Sequence, residues 1–456
     1  MLVKDILKVT DGKLIIGDEN EELENFSKDT RQINNGDTYI GIKGESFDGN
    51  AFWKEALEKG AKAVIIQGID FQNEDLSSLN KKIIIVVEDT LKALYKIAEY
   101  KRSLYNIPVI AITGSVGKTS TKDIIASVVS QKYKTLKTQG NNNNNIGMPF
   151  TILKLKDEEA LVVEMGMNHF GEISLLTNIA KPTISVITNI GTSHIGNLGS
   201  RENILKAKLE ILEGMEEPKL VINNDNDLLH NYYENNKELD IKTFGIQNNS
   251  DIMAKNIELN ENSSTFKCVC NNEELEITVP VGGEHFVLNA LCACKIGEIL
   301  GIENSKIKAG IETFELTNKR MDIKILENGA TIINDSYNAS FESMQASIKY
   351  LANLSTPRKI AFLGDMFELG EFSDELHKKV GEVVAKNNID ILICSGQNAK
   401  FIYEGAKEAG KKEDIHYFED KNEAFEFLKS IMKTNDAVIF KASNGMKFFD
   451  LVSLLK

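Results

Sequence analysis

The feature that most constrains the fold is the run VIAITGSVGKTSTKDIIASVV, which covers positions 109–129. Apolar residues from Pro108 to Ile112 predict a buried parallel strand. Gly114 and Gly117 then allow the backbone to turn back on itself, and a helix opens at Thr119 and Ser120. Strand, glycine turn and helix in this order indicate an α/β unit.

The turn has the residues of a phosphate-binding loop. Backbone amides of such a loop point at phosphate oxygens, Lys118 would reach the terminal phosphates, and Thr119 would ligate magnesium. The strict pattern GxxxxGK[ST] fails because Ile112 stands at its first glycine. The run therefore matches the shorter form TGxxGKT, and an ordinary strand-to-helix turn is the alternative. The residues predicted to bind a nucleotide are Gly114, Ser115, Val116, Gly117, Lys118, Thr119 and Ser120.

Length and charge narrow the class of protein. A chain of 456 residues is too long for one ordinary domain and predicts about three. The net charge of -14 argues against a general nucleic-acid surface, which needs a basic face. The N-terminus lacks the apolar core of a signal peptide, and no run reaches the ~18 apolar residues of a membrane span. We therefore expect a cytosolic chain without membrane insertion, and we expect the five cysteines to be plain thiols.

Apolar strands alternate with helical segments along most of the chain, which predicts an α/β fold with three α/β domains. The first domain is expected to cover residues 1–106, and the second, with the phosphate loop and a mostly parallel sheet, residues 107–315. A polar stretch and a strand pair around STFKCVCNNEELEITV interrupt the pattern of the second domain. The third domain, residues 316–456, is predicted to be Rossmann-like.

Two later strands of the central domain end in polar side chains, Glu164 and His194. Ligands of open parallel sheets bind at the carboxyl ends of strands, so both side chains should lie near the phosphate loop. One carboxylate and one imidazole suit a divalent cation that also binds phosphate oxygens. The alternatives are a glutamate that caps the next helix and a histidine bonded to a backbone carbonyl.

The helix that follows contains a lysine on its apolar face. Ile204, Lys208 and Ile211 share that face at spacings of three and four, whereas Lys206 points away. Burial lowers the pKa of a lysine and exposes a neutral amine, which can take up carbon dioxide to become a carbamate. A lysine that reaches out to solvent along the helix is the alternative.

Together these motifs resemble the Mur ligase family, the ATP-dependent enzymes that build the peptide of bacterial cell-wall precursors. The resemblance covers nearly the whole chain, and eight motifs occur in order over the three domains. They are DTRQINNGDTYIGIKGESFDGNAF, ITGSVGKTSTKD, the asparagine segment TQGNNNNNIGMPFT, EMGMNHFGEI, TNIGTSHIGNLGSRENILKAKLEI, GGEHFVLNALCA, KRMDIKILENGATIINDSYNAS and FLGDMFELGEFSDELH. Within the family they are most similar to members that join D-alanyl-D-alanine to UDP-N-acetylmuramoyl-tripeptide.

The resemblance implies a role for each domain. The first would hold the UDP-sugar, with Asp29, Thr30, Arg31 and Gly44 near its uridine end. The second would bind ATP and two magnesium ions, with Thr119, Glu164, His194 and Lys208 as metal ligands. Lys208 matches a position that is carbamylated in related ligases, and Asn289 matches an adenine-contacting asparagine. A mid-helix asparagine that bonds locally is the alternative for Asn289.

In the third domain, the resemblance implies that Arg320 reaches the phosphates and that Asp335 lies near the ribose, with Tyr337 and Asn338 beside it. Three departures affect this domain. Lys319 replaces a glycine before Arg320, NASF replaces NANP, and KASNGM stands where KGSRGM is common, with Ala442 and Asn444 in place of a glycine and an arginine. The contacts to the incoming dipeptide are therefore open.

The implied reaction is carboxyl activation. The tripeptide carboxylate attacks the γ-phosphate of ATP to give an acyl phosphate and ADP, and the amine of D-alanyl-D-alanine then displaces phosphate. Lys118, Lys208 and Arg320 are the catalytic candidates. The alternatives are a sister ligase that adds a different amino acid and a catalytically silent nucleotide-binding partner in wall synthesis. The resemblance also implies a monomer.

The segment TQGNNNNNIGMPFT, residues 138–151, has two interpretations. Composition alone is typical of a flexible polar loop. Alternatively, the segment matches the family pattern GNxNNxxGxP. This match makes Asn141, Asn143 and Asn144 site residues, because neutral amides can bind a peptide or phosphate edge. On this interpretation Asn143 and Asn144 matter to turnover, whereas Asn142 tolerates replacement.

Overall fold

The computed structural model describes residues 1–44, 47–71, 76–79, 81–316 and 321–455. Its strands form four sheets, and three of these are mixed or parallel sheets that carry helices. The prediction of an α/β chain with mostly parallel sheets is confirmed. The boundaries at 106 and 315 stay predictions, and below the three parts are called the N-terminal, central and C-terminal domains.

The N-terminal domain has a five-stranded sheet in the order β1-β5-β4-β3-β2, in which only β1 is antiparallel to its neighbour. Alternating apolar strands and helices predicted β3, β4, β5, α2 and α3. Its strands are β1 (Lys13–Ile16), β2 (Phe26–Ser27), β3 (Thr38–Ile40), β4 (Ala63–Ile66) and β5 (Ile83–Val86), and its helices are α1 (Val3–Thr10), α2 (Trp53–Glu58) and α3 (Thr90–Ser103).

The central domain is built on a seven-stranded parallel sheet in the order β12-β11-β10-β9-β6-β8-β7. The strands of this sheet are β6 (Val109–Thr113), β7 (Thr135–Lys137), β8 (Ala160–Glu164), β9 (Ile184–Ile187), β10 (Lys219–Asn223), β11 (Asp240–Gly245) and β12 (Ile252–Met253). The first strand lies one residue later than predicted. All five of its residues are buried, as expected of a strand covered on both faces.

A three-stranded antiparallel sheet, β13-β14-β15, follows in the central domain and includes the predicted strand pair. Its strands are β13 (Lys255–Leu259), β14 (Ser264–Cys270) and β15 (Glu273–Val279). The helices of this domain are α4 (Lys118–Val129), α5 (Gly147–Ile152), α6 (Glu172–Ala180), α7 (Ile195–Leu198), α8 (Arg201–Leu209), α9 (Asp227–Glu234), α10 (Glu284–Ile299) and α11 (Asn304–Glu312).

The C-terminal domain has a six-stranded sheet in the order β16-β17-β21-β18-β19-β20, with only β16 antiparallel. Its strands are β16 (Asp322–Ile325), β17 (Thr331–Asn334), β18 (Arg358–Gly364), β19 (Ile391–Ser395), β20 (Ile415–Phe418) and β21 (Asp436–Lys441). Its helices are α12 (Phe341–Ala352), α13 (Ser373–Lys386), α14 (Ala399–Glu408), α15 (Lys421–Ile431) and α16 (Phe448–Ser453).

The strand order explains where the central domain can bind a ligand. β6 lies between β8 and β9, so the turns that follow these three neighbouring strands meet at one edge of the sheet. The phosphate loop follows β6, Glu164 ends β8, and His194 lies in the segment after β9. An open parallel sheet binds ligands at this kind of edge.

All five cysteines are buried free thiols. Four of them lie on β14 and α10, where burial raises the pKa of the Cys270 thiol to about 12. The expectation of plain thiols is consistent with this arrangement. Within the part of the chain that the structure describes, no helix has the length and apolar character needed to cross a bilayer.

Candidate active site

The phosphate loop adopts a conformation that requires glycine. Gly114 has φ of +152°, and a Cβ there would lie 1.9 Å from the Thr188 hydroxyl. Gly117 has φ of +81° and immediately precedes α4. The first amides of an α-helix have no partner within the helix, so the α4 N-terminus presents free donors and the positive end of its dipole.

The segment after β9 braces this loop. The Ser115 amide donates to the Asn189 backbone carbonyl (3.0 Å), and the Val116 amide donates to the Asn189 side-chain oxygen (3.0 Å). The Thr188 hydroxyl donates to the Val116 carbonyl at 2.7 Å. Because the amides of Ser115 and Val116 already donate to Asn189, the backbone donors of this turn that can bind an anion are those at the start of α4. Lys118 lies back over the loop, with its Nζ donating to the Gly114 carbonyl at 2.8 Å.

Glu164 is a buried carboxylate that accepts only neutral donors. Thr119 donates its hydroxyl to Glu164 Oε2 at 2.8 Å, and Asn143 donates its amide to Oε1 at 2.7 Å. The side chain is 1% exposed, and among the described residues no lysine or arginine forms an ion pair with it. A carboxylate and a hydroxyl in contact beside the phosphate loop are oxygen donors that suit magnesium.

His194 lies at the same edge of the sheet, with a left-handed backbone (φ +63°) just before α7. Its Nδ1 is 2.5 Å from Glu368 Oε2 of the C-terminal domain, and this contact lowers the pKa of Glu368. Over the residues described, no cluster of three or more His, Cys, Asp or Glu side chains is placed to hold a metal ion. The predicted metal set contains two such side chains, one hydroxyl and one lysine.

Lys208 is buried on α8, as the spacing of the helix predicts. It is 1% exposed, whereas Lys206 is exposed and lies over the Phe170 ring. Among described residues Lys208 has no hydrogen bond or ion pair. Burial, and then the charge of nearby Lys118, hold the pKa of Lys208 well below its usual value. Burial therefore favours the neutral amine over the ammonium at this position.

A cleft of about 520 Å³ lies between the central and C-terminal domains. It brings together most of the predicted ATP and metal residues, which come from the phosphate loop and α4, the asparagine segment, the end of β8, the segment after β9, α10 and the segment after β17. The predicted residues that line it are Ser115, Val116, Gly117, Lys118, Ser120, Asn143, Asn144, Glu164, His194, Asn289, Asp335, Tyr337 and Asn338.

Some predicted residues do not line this cleft. Thr119 is connected to it by its bond to Glu164, and Lys208 is buried and not part of its wall. Arg320 is outside the described residues, as is Lys319. The remaining predicted residues without a place in the cleft wall are Gly114, Asn141, Asp29, Thr30, Arg31 and Gly44.

Asn289 on α10 has an unsatisfied amide in the cleft. Its Oδ1 accepts the Thr121 hydroxyl at 2.9 Å, but its buried Nδ2 has no hydrogen-bond partner. A buried amide without a partner costs about 1–3 kcal/mol, so a ligand that accepts from it gains affinity. Close by, burial lowers the pKa of His285 to about 4, and the opposing effect of Asp335 is smaller.

The C-terminal wall contains residues that the sequence analysis missed. Lys441 is 3% exposed and donates to Asp335 Oδ2 at 2.6 Å, and the Ser347 hydroxyl donates to the same oxygen at 2.6 Å. Glu342 and Glu368 contact the segment after β9 from across the cleft. Lys441 begins the KASNGM motif and Glu368 lies in FLGDMFELGEFSDELH, and these two motifs were the available signals.

The asparagine segment is an ordered turn. Asn143 binds Glu164, Asn144 Oδ1 accepts the Gly147 amide at 2.8 Å, and Asn145 donates to the Tyr95 hydroxyl at 3.1 Å. Gly147 packs so closely that a Cβ there would lie 2.5 Å from Asn142 Cα. Asn141 is exposed. These bonds favour the site interpretation over a flexible loop, and the functional roles of Asn141, Asn143 and Asn144 stay predictions.

The N-terminal site residues form a local cluster away from the cleft. Arg31 donates two bonds to Asp29, at 2.9 and 2.8 Å, and these lower the Asp29 pKa to about 2. Thr30 donates to Glu55 at 3.0 Å, and Gly44 donates its amide to the Phe47 carbonyl at 3.0 Å. Their contact with a uridine end stays a prediction.

Three family models match this chain. They are the Mur ligase middle domain over residues 112–297, the Mur ligase glutamate ligase domain over residues 319–444, and the Mur ligase family catalytic domain over residues 22–102. The matches are in chain order and together cover most of the sequence.

Similar curated proteins carry one activity in their names. The UDP-N-acetylmuramoyl-tripeptide--D-alanyl-D-alanine ligase of Bacillus subtilis is 36% identical, over 99% of this chain and 97% of the relative. The ligase of the same name from Synechocystis is 34% identical, over 96% and 93%.

Solved structures are similar over the same length. A crystal structure of MurF from Acinetobacter baumannii has a TM-score of 0.89 at 29% identity and covers 99% of this chain and 98% of its own. A MurF ligase from Thermotoga maritima in complex with ADP has a TM-score of 0.81 at 28% identity, over 94% and 96%. The three-domain α/β architecture is thus shared with these structures.

Proposed function

This chain belongs to the Mur ligase family, and from that premise we propose that it is an ATP-dependent ligase that joins D-alanyl-D-alanine to UDP-N-acetylmuramoyl-tripeptide. The observation that carries the proposal is the cleft of about 520 Å³, in which the phosphate loop faces Asp335 of the C-terminal domain. Curated relatives that are 36% and 34% identical have this activity in their names.

ATP is proposed to lie between the two domains. The α4 N-terminus and Lys118 would bind its phosphates, as in other phosphate loops. The unsatisfied Asn289 amide would meet the adenine, and Asp335, held in place by Lys441, would meet the ribose with Tyr337 and Asn338 nearby. The Thermotoga maritima relative is in complex with ADP, which supports a nucleotide in this chain.

The donor set beside the phosphate loop fits magnesium. Thr119 and Glu164 supply oxygen atoms in contact with each other, and His194 supplies a nitrogen. These residues would hold the ion, and two ions are expected in all. When bound, magnesium neutralises negative charge on the phosphates.

We propose that Lys208 is carbamylated. A buried lysine without a described partner is costly as an ammonium, and its neutral amine is a nucleophile. The nitrogen attacks carbon dioxide, one N–H proton leaves to solvent, and the product is a carbamate anion. This anion would be a second carboxylate at the metal site, opposite in charge to the ammonium that burial disfavours.

The residues of the chain then position the reacting groups. The terminal carboxylate of the tripeptide attacks the γ-phosphorus, ADP leaves, and the acyl phosphate forms. The D-alanyl-D-alanine amine attacks the carbonyl carbon, phosphate leaves, and the amine proton passes to solvent. Lys118 stabilises charge on the transferred phosphoryl group, and Arg320, which is outside the described residues, is proposed to do the same from the C-terminal domain.

The other roles follow from the family. The N-terminal domain, with Asp29, Thr30, Arg31 and Gly44, is proposed to hold the UDP end of the acceptor. Asn141, Asn143 and Asn144 are proposed to contact the acceptor or its activated carboxylate. We further propose that the enzyme acts as a monomer in the cytosol, where ATP and the UDP-linked precursor are made.

One assay tests the function. Phosphate release from ATP is measured with UDP-muramoyl-tripeptide and either D-alanyl-D-alanine or single amino acids. We expect release only with the dipeptide. Release with a single amino acid identifies a sister ligase, and no release with any acceptor identifies a silent nucleotide-binding protein, so either result overturns the proposal.

A further inference from the structure

The segment between β9 and α8, residues 188–200, is held by the C-terminal domain at two points. Glu342 of α12 accepts the Thr192 amide at 2.9 Å and the Thr192 hydroxyl at 3.2 Å. Glu368 accepts the Gly196 amide on its backbone carbonyl at 3.1 Å. His194 lies between these two attachments.

Close packing shows that this contact is built into both surfaces. A Cβ at Gly191 would lie 2.5 Å from the Glu342 carboxyl carbon, and a Cβ at Gly196 would lie 2.6 Å from the Gly370 nitrogen. At Gly196 the nearest atoms belong to the backbone, so a side chain there would separate the two surfaces. At Gly191 the nearest atoms belong to the Glu342 carboxylate, so a side chain there would displace that carboxylate from Thr192.

Between these attachments, the Glu368 carboxylate meets the His194 ring. Oε2 lies at an ion-pair distance of 2.5 Å from Nδ1, but the angle of this contact does not meet hydrogen-bond geometry, and among the described residues Nδ1 has no hydrogen-bond partner. Both residues have left-handed backbones, with φ of +63° for His194 and +65° for Glu368. Such conformations are uncommon outside glycine, and they persist where the surroundings determine them.

A carboxylate at Nδ1 has a chemical consequence for the other ring nitrogen. A carboxylate at this distance favours the tautomer with its proton on Nδ1, which leaves Nε2 with the lone pair that a metal ion needs. Histidines that bind metals commonly donate their second N–H to such a carboxylate, which orients the ring and raises its basicity. Here the carboxylate comes from a different domain than the histidine.

We propose that Glu368 is a positioning residue that orients His194 for metal binding, so that the metal site is complete only when the C-terminal domain is docked. Glu342 supports the same arrangement by holding Thr192. This inference rests on the proposed function, since it takes His194 as a metal ligand. It adds that the C-terminal domain prepares the metal site as well as closing over ATP.

Manganese binding to the full-length protein with ADP, followed by electron paramagnetic resonance, tests the proposal without turnover. We expect Glu368→Ala to weaken Mn²⁺ binding about 10- to 100-fold, the usual cost of losing a carboxylate behind a metal-binding histidine. Glu368→Gln keeps an oxygen that accepts from Nδ1, so we expect it to recover most of the affinity. Glu371→Gln, an exposed neighbour, is the matched control and should bind as the wild type does.

The reference variant is His194→Ala. If it weakens Mn²⁺ binding and Glu368→Ala does not, Glu368 has no positioning role and the inference is overturned. If His194→Ala itself binds Mn²⁺ as the wild type does, the metal assignment in the proposed function fails, which is a different result. Equal losses in Glu368→Ala and Glu368→Gln would also contradict the orienting bond, because the glutamine retains it.

Discussion

Lys122 and Lys208 of the central domain are each no more than 1% exposed, and their surroundings are opposite. Lys122 on α4 is 0% exposed, donates to the Thr138 carbonyl at 3.0 Å and lies 3.2 Å from the Asp123 carboxylate. Lys208 on α8 is 1% exposed and has neither kind of partner among the described residues; the charge that it meets is that of Lys118. The same residue type thus occurs once in a satisfied polar network and once alone.

Burial alone does not decide whether a lysine keeps its proton, because the charged groups around it also matter. Burial lowers the pKa of both lysines, but Asp123 and Glu164 oppose the shift at Lys122, whereas Lys118 adds to it at Lys208. Lys122 can remain an ammonium that ties α4 to the segment after β7. Lys208 is disposed to lose its proton and to react, and a carbamate would give it the charge that its surroundings favour.

Lys208→Ala is the variant from which we expect the largest effect, and it tests whether Lys208 is carbamylated. We expect turnover to fall about 100- to 1000-fold, because an electrostatic group at the phosphoryl-transfer site is lost. High bicarbonate should not recover the activity, and a small added carboxylate such as formate should restore part of it. Phosphate release is the measurement, and Lys206→Ala, on the exposed face of α8, is the control. Unchanged turnover in Lys208→Ala would rule out the carbamate.

The opposite outcome is expected at the satisfied lysine. Lys122→Met leaves the Thr138 carbonyl without its donor, although Asp123 keeps Lys137 at 2.8 Å. We expect the free energy of unfolding to fall by about 2 kcal/mol, the usual cost of a buried group that loses its partner. Urea unfolding measures this change. Lys134→Met, at the surface, should shift it by less than about 0.5 kcal/mol, and an equal loss there would remove the contrast.

Asn143 extends the satisfied network to the metal site. Thr138, which binds Lys122, accepts the Glu164 amide at 3.0 Å, and Asn143 donates to the Glu164 carboxylate. We expect Asn143→Ala to raise the magnesium concentration for half-maximal turnover about 10-fold, because the carboxylate loses its orienting bond. Asn142→Ala should leave that concentration unchanged. The same magnesium requirement in both variants would place Asn143 outside the site.

The smallest effect is expected from Lys208→Met, measured as stability in buffer free of carbon dioxide. An apolar side chain removes the cost of burying an amine, so we expect the free energy of unfolding to rise by about 1 kcal/mol. In the wild type, folding must release a proton from Lys208 below its unfolded pKa of 10.5, so its stability rises with pH. The advantage of the methionine variant should therefore shrink as the pH approaches that value. A loss of stability at neutral pH would show that Lys208 has a partner.

The sequence pattern within a single helix or strand predicted the features that depend on that element alone. Spacing along α8 placed Lys208 inside and Lys206 outside, and the apolar run before Gly114 predicted β6. The antiparallel edge strand β16 was missed because all four of its residues are exposed and show no alternation. The short, partly exposed strands β2 and β20 were missed in the same way.

Contacts across domains were beyond the sequence. Glu342 of the C-terminal domain lies 150 residues from Thr192, and Glu368 of the same domain meets His194 of the central domain. Such pairs depend on how the C-terminal sheet docks on the central one, which no periodicity within either element specifies. Glu368 stood in a quoted motif, yet nothing near it in the chain indicates that it would meet His194.

The buried thiols make it possible to measure, by chemical labelling, how readily each domain opens in these variants. Four cysteines belong to the central domain and Cys394 lies on β19 of the C-terminal domain, and none is accessible in the folded chain. A thiol-specific reagent can react only after local or global opening, so its rate at each site reports the opening of that domain. Peptide mapping after brief labelling would then distinguish a variant that destabilises the structure around Lys122 from one that only lowers turnover.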